Sequence, residues 1–163
     1  MAQSAASIVN RNPTEKTVLF LCTGNYYRSR FAEILFNAVS RRMGLGWRAV
    51  SRGVAIEFGV GNVGPLSSAA ARRLAELDVA ADGYLRMPMQ VAAEDLESAD
   101  LLVALKEAEH RPLLRQRYPG WEERVEYWHI HDVDFAPAED ALREIERHVV
   151  ALVERLAGDG TGR

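Results

Sequence analysis

Cys22 and Arg28 stand at C-x5-R spacing within Cys22-Thr23-Gly24-Asn25-Tyr26-Tyr27-Arg28-Ser29. A thiolate is a strong nucleophile, and a guanidinium is a planar fork that takes two phosphate oxygens at once. Together they could hold a phosphoryl group and attack it. Gly24 and Asn25 tolerate left-handed backbone angles, so the segment can curl with its N–H groups inward as a nest for phosphate oxygens. A helix starting at Ser29 would add unpaired N–H groups and the positive end of its dipole, a field that also favours a thiolate. Arg28 and Arg30 precede the first acid, Glu33. Cations at a helix start are unfavourable by about 0.3–1 kcal/mol each, so an anion is expected beside them.

The flanking residues predict the elements that must place these groups. Thr17 to Leu21 (TVLFL) reads as a buried first strand ending at the Gly24-Asn25 turn, with Cys22 at its carboxyl end. Phe31, Ile34, Leu35, Ala38 and Val39 share one helix face, which stops at Gly44 and Gly46. Trp47 to Val54 is a second strand and Leu66 to Leu77 a helix, with the Gly-rich loop Gly59 to Gly64 between them. A short helix over Val91 to Glu97, a strand over Leu101 to Leu105, a helix over Glu107 to Arg117 and a strand over Val125 to Ile130 follow. Ala138 to Leu156 carries the longest apolar stripe. Strands alternating with helices predict a single doubly wound α/β domain, a four-stranded parallel sheet covered on both faces, with its site beyond the carboxyl ends of the strands.

Composition bounds what such a site can serve. The 163 residues suffice for one domain that buries about two-thirds of its unfolded surface. Residues 1–16 read as a flexible leader, 17–157 as the domain and 158–163 as a flexible tail. A net charge of −3 removes the electrostatic case for a dedicated nucleic-acid or anionic-membrane partner, so any anion site is local. Cys22 is the one cysteine, which excludes an intramolecular disulfide and a Cys-rich zinc site. The expected setting is reducing and cytoplasmic.

VLFLCTGNYYRSRFAE resembles the signature of the low-molecular-weight protein tyrosine phosphatases, an apolar strand followed by C-x-G-N-x-C-R-S-P-x-A-E. Ser51-Arg52-Gly53 resembles the Ser-Ala-Gly after that family's second strand, and the resemblance spans roughly residues 16–157. It implies metal-independent, cofactor-free hydrolysis of phosphomonoesters, commonly phosphotyrosine on a protein, through a cysteinyl-phosphate. On this resemblance Cys22 is the nucleophile and Arg28 the phosphate clamp. Asn25 holds the curl, Ser29 stabilises the thiolate, and Thr23, Gly24, Tyr26 and Tyr27 complete the phosphate-binding loop. Two departures stand out: Tyr27 replaces the second loop cysteine, and Arg30 replaces the proline. Without a loop partner, oxidation of Cys22 leads to a sulfenic acid, a sulfenamide or a mixed disulfide.

The family's general acid lies in an Asp-Pro before the last helix, whereas the chain reads Trp128-His129-Ile130-His131-Asp132-Val133-Asp134-Phe135. Asp132, four residues after Trp128, is the expected acid, with Asp134 the runner-up. Tyr26 and Phe135 are the candidate substrate-contacting rings, and Tyr27 is expected to pack. His129 and His131 with the two aspartates suggest a competing metal hydrolase, but no further His or Cys completes a shell. His110 and His148 are expected on partly exposed helix faces. Two other functions stay open on the same loop: an arsenate reductase borrowing an external thiol, and a phosphate- or phosphoprotein-binding module without turnover.

Overall fold

The computed structural model describes residues 15–59, 61–130 and 137–161. Its sheet has four parallel strands in the order β2-β1-β3-β4: β1 Lys16–Cys22, β2 Trp47–Gly53, β3 Leu101–Ala104 and β4 Glu126–Tyr127. Around it stand α1 Arg28–Met43, α2 Ser68–Glu76, α3 Ala93–Ser98, α4 Glu107–Arg117 and α5 Ala138–Thr161. Among the described residues no helix is long and apolar enough to cross a membrane.

Strand β1 is buried from Thr17 onward because it has a neighbour on each edge and helices over each face. Its two-residue period divides the core. Val18 and Phe20 pack with Phe31, Phe36, Ile145 and Val149 on one side, while Leu19 and Leu21 pack with Leu96, Leu102 and Leu114 on the other. The doubly wound architecture expected from the alternating pattern is therefore present, with α1, α2 and α5 on one layer and α3 and α4 on the other. Local signals end the elements that matter for the site. Ser67 caps α2 by accepting the Ala70 N–H at 3.2 Å, and Gly44 closes α1 in the left-handed region at φ 64°.

The fourth strand is shorter than its apolar run predicts. Trp128 N–H and Ile130 N–H still bond to the carbonyls of Ala104 and Leu105, but His129 pairs antiparallel with Lys106, and the ladder proper ends at Tyr127. Trp128 turns inward onto Phe20 and stacks on His148, 4.9 Å between ring centroids. At the other end, α5 continues to Thr161, so residues 158–161, expected as tail, form its last turn. Two glycines near this end of a helix are unfavourable for it, and the stripe Ile145, Val149, Leu152, Val153 and Leu156 anchors what precedes them.

Candidate active site

The carboxyl end of β1, the loop from Thr23 to Tyr27 and the first turn of α1 form one continuous cup. Cys22 Sγ lies 2.9 Å from Ser29 Oγ, in the first turn of α1. Asn25 takes the left-handed conformation the curl requires, φ 51°, whereas Gly24 does not. Of the two residues able to take left-handed angles, Asn25 alone does so, and one suffices to reverse the chain. Gly53 is required instead for close approach. A Cβ there would lie 2.7 Å from the Thr23 carbonyl and 2.6 Å from the Ile56 side chain, and Gly53 is the register partner of Cys22.

Behind the cup, the Asn25 amide makes four hydrogen bonds. Its Nδ2 donates to Ser29 Oγ and Ser51 Oγ, both at 2.9 Å, and its Oδ1 accepts from Arg86 at 2.9 Å and from the Met89 N–H at 3.0 Å. Ser51 then donates to Glu33 Oε1 at 2.6 Å. Burial pushes the Glu33 carboxyl above the usual range, against the opposing pull of Arg86 and the Ser51 hydroxyl. Arg86 is drawn down to about 10, burial outweighing the attraction of Glu33. Arg30 is fully buried. Its guanidinium donates to the carbonyls of Pro65 and Arg86 at 3.0 Å and to that of Tyr84, while Nε stands 3.9 Å from Glu33 with no hydrogen bond among the described residues. Arg30 therefore does not call for an anion at the helix start. Backbone oxygens from two loops satisfy it.

In front of the cup lies a pocket of about 450 Å³, lined by Cys22, Arg28, Tyr26, Tyr27, Phe58 and Glu109 among others. Arg28 reaches it from the first turn of α1 and meets Glu109 from the first turn of α4: Nη1 to Oε1 at 3.3 Å and Nη2 to Oε2 at 2.9 Å. The Thr23 hydroxyl donates to the same carboxylate. His110, fully buried rather than partly exposed, accepts the Lys106 N–H on Nδ1 at 3.1 Å and turns Nε2 to within 3.2 Å of Glu109. Burial would raise the Glu109 carboxyl, but the bonds from His110 and Arg28 prevail and hold it well below the carboxylate range. Tyr27 donates to the Ala138 carbonyl at 2.9 Å and Tyr26 to that of Val63 at 2.7 Å, so each ring ties a neighbouring segment to the loop.

The structure thus brings together Cys22, Thr23, Gly24, Asn25, Tyr26, Tyr27, Arg28 and Ser29. Asp132, Asp134, Phe135 and His131 lie outside the described residues. His129 does not join the site; its side chain is largely exposed, 3.8 Å from Glu107. Sequence reasoning missed Glu109 and Arg86, and nothing in their local spacing could have found them. Glu33 and Ser51 were within reach, since both fall inside the motifs quoted for the resemblance.

Comparisons with known proteins agree with this geometry. Residues 17–159 match the family model "Low molecular weight phosphotyrosine protein phosphatase". A protein-arginine-phosphatase of Bacillus subtilis is 32% identical over 108 residues, 66% of this chain and 67% of that one. The crystal structure of YfkJ from Bacillus subtilis superposes with a TM-score of 0.76 at 21% identity, covering 91% of this chain and 98% of its own, a likeness of fold. That of a low molecular weight protein tyrosine phosphatase from T. tengcongensis gives 0.68 at 27% identity, covering 86% and 99%. With its strand-end thiol, curled loop and helix start in place, the chain belongs to the low molecular weight phosphotyrosine protein phosphatase family and is a cysteine-based phosphohydrolase.

Proposed function

We infer that the chain dephosphorylates protein side chains and that phosphotyrosine is its substrate. The observation that carries this reading is the position of Cys22 Sγ, at the pocket wall, 2.9 Å from the Ser29 hydroxyl and beside the start of α1. The thiolate attacks phosphorus in line, the bond to the leaving oxygen breaks, and that oxygen takes a proton from Asp132, with Asp134 the alternative acid. Water then attacks the cysteinyl-phosphate, inorganic phosphate departs and the thiolate returns. Loop N–H groups, the helix start and Arg28 stabilise charge on the three equatorial oxygens through both steps. The rings of Tyr26, Tyr27 and Phe58 give a phenol apolar walls to enter between.

Phosphoarginine is the second reading. It is supported by the named activity of the Bacillus subtilis relative and by a carboxylate, Glu109, in the pocket wall. Phosphotyrosine and phosphoarginine peptides, assayed with the wild-type protein and with Cys22→Ser, test both. The expected outcome is metal-independent turnover, blocked by vanadate and unaffected by EDTA, that falls by about 10⁴–10⁶-fold in Cys22→Ser. Turnover surviving that substitution would end the thiol mechanism, and an inactive wild-type protein would favour a phosphate-binding module.

A further inference from the structure

Resting on the phosphatase reading and not on the choice of phosphotyrosine, we propose that Glu109 biases specificity: it is an anion built into the pocket that weakens the loop's hold on a bare phosphate dianion and shifts selectivity, relative to a pocket without it, toward phosphoryl groups carried on a cationic guanidinium. Two features place it in that role. Its carboxylate occupies one N–H of each terminal nitrogen of Arg28, the residue that would clamp the phosphate, at 3.3 and 2.9 Å. It is also fixed there from the other side, by the Thr23 hydroxyl and by His110 Nε2 at 3.2 Å. The Lys106 N–H donates to His110 Nδ1, which leaves the ring proton on Nε2, facing Glu109.

The consequence is electrostatic. A guanidinium has five N–H donors, so Arg28 can keep Glu109 and still reach a phosphate, but its charge is already balanced before the phosphate arrives. The incoming dianion shares a partly desolvated pocket with a carboxylate, and like charges at that range weaken binding by about tenfold or more. An aryl phosphate brings nothing to offset this repulsion. A phosphoguanidinium brings a positive charge of its own, and its plane can stack on the Tyr26, Tyr27 or Phe58 rings that line the same pocket. A strut that merely holds Arg28 in place would act with the opposite sign, because losing it would loosen the clamp and weaken phosphate binding.

That difference in sign is measurable. Inhibition by inorganic phosphate, and kcat/KM for two peptides differing only in phosphoarginine or phosphotyrosine, are compared in wild type, Glu109→Gln and Glu109→Asp. In Glu109→Gln the phosphate inhibition constant is expected to fall about tenfold, and the phosphoarginine-to-phosphotyrosine ratio of kcat/KM to fall by a similar factor. Glu109→Asp, which keeps the charge, should stay within about threefold of wild type in both. An inhibition constant that rises or stays put in Glu109→Gln, or an unchanged ratio, overturns the proposal. If Glu109→Gln does not fold, Glu109→Ala reads the same two signs. A wild type that turns over neither peptide defeats the phosphatase reading itself, whereas turnover with an indifferent ratio defeats only the role of Glu109.

Discussion

Arg28 and Arg30 lie two residues apart in the first turn of one helix, yet the fold treats them in opposite ways. Arg28 looks forward into the pocket and pairs with a carboxylate, Glu109, whose side chain is 26% exposed. Arg30 looks backward into the core and is held by three backbone carbonyls from the segments around Pro65 and Tyr84–Arg86. Successive positions on a helix diverge by about 100°, so two residues of separation suffice to send equal charges to opposite sides. The front contact is a charge pair in contact with water, which an arriving phosphate can perturb. The rear contacts are neutral backbone oxygens on half-buried segments, met by a guanidinium that is itself fully buried. On the proposed function the first guanidinium binds the reactant, whereas the second is a staple between loops.

Substitutions at the two arginines should separate those roles. Arg28→Lys keeps the charge but loses the planar fork, and kcat/KM for a phosphopeptide should fall by about 10²–10³-fold with the melting temperature almost unchanged. An equal fall in stability would mean that Arg28 is as structural as Arg30. Arg30→Met strips three half-buried carbonyls of their donor at once, a loss that outweighs relief from burying a charge. Stability should drop by about 2 kcal/mol, lowering the melting temperature by about 4–8 °C, while turnover of the folded protein changes less than in Arg28→Lys. Calorimetry alongside a steady-state assay decides the point.

The smallest effect concerns the two carboxylates that accompany these arginines. Glu33 is raised above its ordinary value of 4.5 by burial, so the native state keeps its proton longer than the unfolded chain does, and this group erodes stability as pH climbs past that value. Glu109 is held below the ordinary value by His110 and Arg28 in spite of burial. Its contribution is complete above 4.5 and is lost as pH falls beneath it. Urea titrations in steps from pH 4 to pH 8 should therefore show a flatter upper range in Glu33→Gln than in wild type. A slope unchanged by Glu33→Gln would show that the rear network compensates the charge fully.

Several parts of this arrangement were legible beforehand, each for a local reason. The end of α4 follows from the Pro119-Gly120 stop, and that of α1 from the stripe that Gly44 ends. Errors arose where a residue's partner is distant. Arg30 looked like a signal for an anion because its three carbonyl acceptors lie 35, 54 and 56 residues away. His110 looked half-exposed because its burial depends on what packs over α4 rather than on α4 itself. The last apolar run looked like a long strand because apolar residues suit both a ladder and an inward-turned Trp128.

What the amino-acid order determined by itself is the cup: an apolar strand, a Cys-to-Arg loop able to curl, and a helix start, each read from residue types along one continuous stretch of chain. What only the tertiary structure decided is what stands before and behind it. Parallel pairing of β1 with β3 carries the start of α4 to the end of β1 and so sets Glu109 against Arg28 across 81 positions. Pairing of β1 with β2 sets Ser51 within reach of Asn25, and the loop before α3 adds Arg86. Backbone curl is a short-range property, readable from residue type, whereas the charge that surrounds a thiol depends on which distant chain ends the sheet order brings together.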